Sequence, residues 1–152
     1  MKILLVCLGN ICRSPMAEGI LRDMIGKEGL SWETDSAGTS DYHVGEAPDL
    51  RAQRTMMERH IDISDLRGRQ LRPSDFEEFD LLLAMDESNL RNMKAIAPNL
   101  ELARKARLMM DHAPDHRMRE VPDPYFGGDE GFVEVFDMLT MACRNLLADV
   151  RS

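Results

Sequence analysis

Short apolar runs and segments of helical periodicity alternate along this chain. Ile3-Leu4-Leu5-Val6 is a continuous apolar run, and residues 2–7 read as a buried strand. Ala17, Ile20, Leu21, Met24 and Ile25 then fall on one face of a predicted helix. Ser14 suits its N-cap and Pro15 its first position, with an end near Gly26 to Gly29. Ser31 to Ser36 fits a second strand, followed by a loop from Ala37 to Gly45 and a helix from Asp49 to His60. Asp80 to Met85 reads as a buried strand, Asp86 to Ala97 as a helix halted before Pro98, and Lys105 to Met110 as a fourth strand. Residues 111–128 are rich in Pro, Gly and Asp and predict a long loop, of the kind that often carries function. Phe132, Phe136, Leu139, Cys143, Leu146 and Val150 form the apolar stripe of a last helix.

Strands alternating with helices predict an α/β fold with a parallel sheet covered on both faces. Ligands of such sheets bind beyond the C-terminal ends of the strands. The Cys7–Ser14 loop, the Tyr42 loop, Asp86 and the Asp123 loop should therefore converge on one rim.

The 152 residues favour one domain, residues 1–152. The charge is acidic, 19 Lys+Arg against 27 Asp+Glu, which argues against nonspecific nucleic-acid binding. An anion would have to be held by a local positive site. No apolar stretch approaches the roughly 20 residues that span a bilayer, so no membrane insertion is expected. Three Cys without a regular framework fit a reducing compartment, and the cytoplasm is the expected location. A monomer is the default expectation. His112 and His116 flank Pro114 without cysteines at ligand spacing, so neither a metal nor a cofactor is expected. Gap-filling in the core is the expected use of the twelve Met.

The chemistry concentrates in Cys7-Leu8-Gly9-Asn10-Ile11-Cys12-Arg13-Ser14-Pro15. A cysteine, five residues and an arginine, set between a strand and a helix, form a cradle for one tetrahedral anion. Loop and helix-start N–H groups point at the anion. Arg13 can grip two of its oxygens. Cys7 would lie beneath as a thiolate nucleophile, each hydrogen bond to the charged sulfur contributing about 1.5–3 kcal/mol. An arginine at a helix N-terminus is electrostatically misplaced unless an anion sits there. The pattern suggests phosphate-ester hydrolysis through a phosphocysteine.

That reaction needs an acid for the leaving oxygen, and the same group then serves as base toward water. Asp123, flanked by Pro122 and Pro124, is the candidate; taken alone it would read as a turn former. Cys12, beside a reactive thiolate, could trap its sulfenic acid as a disulfide. Cys143 lies on an apolar stripe and reads as core.

Together these segments resemble the low-molecular-weight protein tyrosine phosphatase family. The match runs in order through the Cys7–Pro15 motif, Asp35-Ser36-Ala37-Gly38-Thr39, Met85-Asp86-Glu87-Ser88-Asn89-Leu90 and Asp123-Pro124-Tyr125. The resemblance implies a four-stranded parallel sheet with helices on both sides. It implies Cys7 as nucleophile, Arg13 as phosphate clamp and Asp123 as general acid. Asn10, Ser14, Ser36 and His60 match its polar network around the loop, with Ser14 as the thiolate-stabilising hydroxyl. Asp86 could orient Arg13, or simply cap its helix.

Tyr42 and Tyr125, with Leu8 and Ile11, are the candidate pocket walls, and Phe126 completes an aromatic pair. Relatives acting on phosphoarginine carry Thr at the position of Ile11, whose apolar side chain suits a phenyl ring. The implied partner is a phosphotyrosine protein, a tyrosine kinase among the candidates. Arsenate reductases share the fold, but they need relay cysteines that residues 80–97 lack. A phosphate-binding module without catalysis would need neither Cys7 nor Asp123.

Overall fold

The structure, a computed structural model, describes residues 1–151. Four parallel strands form one sheet: β1 (Lys2–Cys7), β2 (Glu33–Gly38), β3 (Leu81–Ala84) and β4 (Ala106–Leu108), in the order β2-β1-β3-β4. Between them run α1 (Arg13–Lys27), α2 (Leu50–Met57), the short α3 (Asp75–Glu78), α4 (Glu87–Ile96) and the short α5 (Leu100–Ala103). A 3-10 turn, Met109–His112, follows β4, and the chain closes with α6 (Asp129–Arg151).

The pleat of β1 divides the core. Ile3, Leu5 and Cys7 face the layer of α1 and α6, which contributes Met16, Ile20, Leu21, Phe132, Leu139 and Cys143. Leu4 and Val6 face the opposite layer, with Phe76, Phe79, Leu82 and Met93. Successive strand side chains point to opposite faces, so a continuous apolar run is what a strand covered on both sides requires. Seven of the twelve Met are buried in these layers, namely residues 16, 56, 85, 93, 109, 110 and 138.

Several boundaries differ from those expected. β2 lies two residues later than the predicted strand, because pairing with β1 sets its register from Lys2↔Glu33 to Cys7↔Gly38. Ser14 is not the N-cap of α1: the helix begins at Arg13, Cys12 holds the cap position, and no side chain caps it. The Ser14 hydroxyl is instead turned toward Cys7. In α6, Phe136 and Val150 only flank the core, whereas Val135, Met138 and Ala142 are buried. α3 and α5 have four residues each, too few for a periodic signal.

The chain leaves β1 toward β2 on one side and β3 lies on the other. This is the switch point where parallel sheets open a crevice. Cys7, the last residue of β1, stands there.

Candidate active site

The loop from Leu8 to Cys12 joins β1 to α1 and is shaped by hydrogen bonds from its surroundings. Thr39 N–H donates to Cys7 O at 2.9 Å, Ser40 N–H to Leu8 O at 3.0 Å and Asp49 N–H to Ile11 O at 2.8 Å. With these carbonyls held outward, loop N–H groups are left for an anion. The first helical bond runs from Met16 N–H to Cys12 O at 3.1 Å, so the N–H groups of Arg13 and Ser14 have no intrahelical partner either. Gly38 is required for the close approach of β2: a Cβ there would lie 2.8 Å from Leu8 O.

Asn10 has φ 60°, a left-handed conformation that Asn tolerates better than most residues. This turn brings its N–H to 3.2 Å from Cys7 Sγ, and Ser14 Oγ lies 3.1 Å from the same sulfur. The sulfur therefore accepts one backbone N–H and is hydrogen-bonded to one hydroxyl.

Beneath the loop the polar groups form one directed network. Asn10 Nδ2 donates to Ser14 Oγ at 2.7 Å and to Ser36 Oγ at 3.0 Å. Ser36 donates onward to Glu18 Oε1 at 2.7 Å. Arg69 N–H donates to Asn10 Oδ1 at 3.0 Å, and its guanidinium is anchored by the buried Asp75 and by Asp35. Burial raises the Glu18 carboxyl above its ordinary value, against the hydrogen bond from Ser36, which lowers it. His60 is no part of this network. It is exposed, with φ 64° in the turn after α2, and the capacity expected of it is met by the Arg69 backbone and Glu18.

Arg13 is only 3% exposed. Its Nη1 donates to Asp86 Oδ2 at 2.7 Å and to Val121 O at 3.0 Å, leaving the Nε and Nη2 edge for a ligand. Burial opposes its charge, but Cys7, Asp86 and Asp123 outweigh burial and hold the guanidinium above its ordinary value. Asp86 serves both expected roles, one oxygen each: Oδ2 holds Arg13 and Oδ1 accepts Asn89 N–H at 2.7 Å, capping α4.

Val121 is fully buried and donates its N–H to Met85 O at 2.8 Å, so the 113–128 loop is pinned beside β3. Two residues on, Asp123 Oδ2 lies 3.8 Å from Arg13 Nη2, while Oδ1 accepts Tyr125 N–H at 3.1 Å. The turn reading of Asp123 holds, and the same carboxylate faces Arg13 at the pocket.

These groups surround a pocket of about 220 Å³ lined by Cys7, Leu8, Gly9, Ile11, Cys12, Arg13, Tyr42, His43, Asp123, Tyr125 and Phe126. The rings of Tyr125 and Phe126 meet edge to face at 5.0 Å. Of the candidate residues, only His60 stands apart from the pocket and its support. Sequence reasoning missed His43, Glu18, Arg51, Arg69 and the Val121 carbonyl. The alternation around the loop 37–45 gave no sign that His43 packs over Gly9.

The family profile of the low molecular weight phosphotyrosine protein phosphatases matches residues 2–152. A Synechocystis protein assigned as a low molecular weight protein-tyrosine-phosphatase is 48% identical over 152 residues, 99% of this chain and 96% of that protein. The crystal structure of a protein tyrosine phosphatase from Entamoeba histolytica, with Hepes in its active site, superposes with a TM-score of 0.95. It is 38% identical, and the match covers 99% of this chain and 97% of that one. The YwlE arginine phosphatase, in a cysteine-to-serine mutant with a phosphorylated active-site serine, is 26% identical with a TM-score of 0.89, covering 100% of this chain and 97% of that one. This chain belongs to the low molecular weight phosphotyrosine protein phosphatase family.

Proposed function

We propose that this chain hydrolyses phosphotyrosine in proteins, and aryl phosphates, through a phosphocysteine on Cys7. The observation that carries the reading is Arg13, fixed by Asp86 and Val121 with its remaining donors facing the Cys7–Asp123 pocket. The Cys7 thiolate attacks phosphorus, and the P–O bond to the aryl group breaks. Asp123 gives its proton to the departing oxygen. The Asp123 carboxylate then takes a proton from water as that water attacks phosphorus. The P–S bond breaks, and inorganic phosphate and the thiolate are regenerated. Arg13 and the loop N–H groups stabilise the charge on the transferring phosphoryl oxygens throughout. The phosphorylated serine in the YwlE mutant supports phosphoryl transfer to this position of the loop.

Apolar Ile11 and the aromatic side chains of the pocket favour a phenyl ring over a guanidinium, which would need polar partners. The partner is a phosphotyrosine protein, a tyrosine kinase among the candidates. Among the described residues no helix is long and apolar enough to cross a membrane, and the free cysteines suit action in the cytoplasm. Rates on matched phosphotyrosine, phosphoserine and phosphoarginine substrates, with and without orthovanadate, test the reading. Preference for phosphotyrosine with inhibition by vanadate is expected. A preference for phosphoarginine would overturn the substrate assignment.

A further inference from the structure

Arg51, in the first turn of α2, lies outside the pocket lining but touches the segments that build it. Its Nε and Nη2 form a two-pronged pair with Asp49, at 3.1 and 3.0 Å. Hydrogen bonds and charge from Arg51 outweigh burial and hold the Asp49 carboxyl below its ordinary value. Asp49 is itself fixed to the phosphate-binding loop by its N–H on Ile11 O at 2.8 Å. From this anchor Arg51 reaches across to the acid loop, donating from Nη2 to Tyr125 O at 2.9 Å and from Nη1 to Gly127 O at 3.4 Å. Its guanidinium also lies 5.4 Å from the centre of the Tyr125 ring and 4.8 Å from that of Phe132.

The Tyr125 residue is therefore held at both ends. Its C=O accepts from Arg51, and its N–H holds the Asp123 carboxylate. A loop rich in Pro and Gly, with Phe126 almost fully exposed, has few other contacts to fix it. A planar guanidinium can serve a carboxylate and two carbonyls at once, which a single ammonium cannot do in that geometry.

We propose that Arg51 is a positioning residue for the leaving-group acid: it straps the acid loop to the phosphate-binding loop and so sets Asp123 at the pocket. This rests on the reading of Asp123 as general acid. Losing the strap should impair proton donation and spare phosphate binding, because the Arg13 clamp does not depend on Arg51.

The test compares wild type, Arg51→Met, Arg51→Lys and Asp123→Asn on aryl phosphates of graded leaving-group pKa, with inorganic phosphate as competitive inhibitor. Arg51→Met should slow phenyl phosphate by roughly 10–100-fold, as expected for a misplaced catalytic group. In kcat/KM, which reports phosphoryl transfer to Cys7 and not the later hydrolysis, it should leave an activated dinitrophenyl ester within roughly threefold, since that oxygen needs no proton. Its leaving-group slope should steepen toward that of Asp123→Asn, with phosphate inhibition retained. Added guanidinium should restore part of the phenyl phosphate rate. A wild-type slope in Arg51→Met, with Asp123→Asn steepened, overturns the strap and leaves the acid standing. An unchanged slope in Asp123→Asn overturns the acid assignment and the strap with it. If Arg51→Met no longer binds phosphate, the same slope is read on Arg51→Lys, and a wild-type value there overturns the proposal.

Discussion

Asp86 divides its carboxylate between two tasks: Oδ2 lies 2.7 Å from Arg13 Nη1, and Oδ1 caps α4 through Asn89 N–H. An Asn at this position can keep the cap but turns an amide toward the guanidinium. Asp86→Asn should therefore weaken phosphate inhibition and kcat/KM by roughly 10–100-fold while the protein stays folded. Unchanged phosphate affinity, measured by competitive inhibition, would mean that Val121 O alone orients Arg13.

Ile11 lines the pocket and is nearly buried, and in the proposed reaction its side chain would face the group carrying the phosphate. Ile11→Thr places a hydroxyl on that wall. The ratio of phosphoarginine to phosphotyrosine turnover should rise, by roughly tenfold if one new hydrogen bond to a charged group contributes about 1.5 kcal/mol. If both rates fall in proportion, Ile11 is not the selector.

Cys12 is buried, and its thiol is pushed far above its ordinary value, first by burial and then by the charges of Asp49 and Cys7. Oxidation of Cys7 by peroxide to an uncharged sulfenic acid removes one of those repulsions. The Cys12 sulfur can then displace the hydroxyl, which leaves as water with the Cys12 proton. Mild peroxide should inactivate wild type, bound phosphate should protect it, and a thiol reductant should restore most activity. Cys12→Ser should retain catalysis yet recover poorly. Sulfinic acid on Cys7 beside a free Cys12 in the oxidised wild type, seen by mass spectrometry, would remove the protective role.

Glu18 carries a buried carboxyl whose pKa is raised by burial. Between the unfolded value near 4.5 and that raised value, the folded protein binds a proton that the unfolded chain releases. Its contribution to stability therefore falls as pH rises through this window. Glu18→Gln has no such charge to bury, so its melting temperature should gain on wild type as pH is raised from about 4.5 to 7. A difference independent of pH would show that the carboxyl titrates alike in both states.

The parts of this fold that follow local rules could be read from the residues. The β1 run is apolar because both its faces are covered, and the Cys7–Pro15 motif declares its own loop. What escaped depends on distant partners. Nothing near His60 reveals that Asn10 takes its third hydrogen bond from Arg69, 59 residues away. Nothing near Ser14 reveals that the helix starts two residues earlier than expected, freeing its hydroxyl for Cys7. Arg51 looks like any polar residue of a short helix until Tyr125 O and Gly127 O are brought beside it.

The central claim is the covalent intermediate, and trapping it tests that claim most directly. With an activated aryl phosphate, Asp123→Asn keeps a fast first step but lacks the base for the second. Rapid mixing, acid quench and peptide mass analysis should find one phosphoryl group on the peptide containing Cys7, accumulating in Asp123→Asn above wild type. Cys7→Ser should bind phosphate and show essentially no steady-state turnover, since a neutral hydroxyl is a far weaker nucleophile than a thiolate. Sustained hydrolysis by Cys7→Ser, or turnover of the quenched enzyme with Cys7 never phosphorylated, would contradict the mechanism.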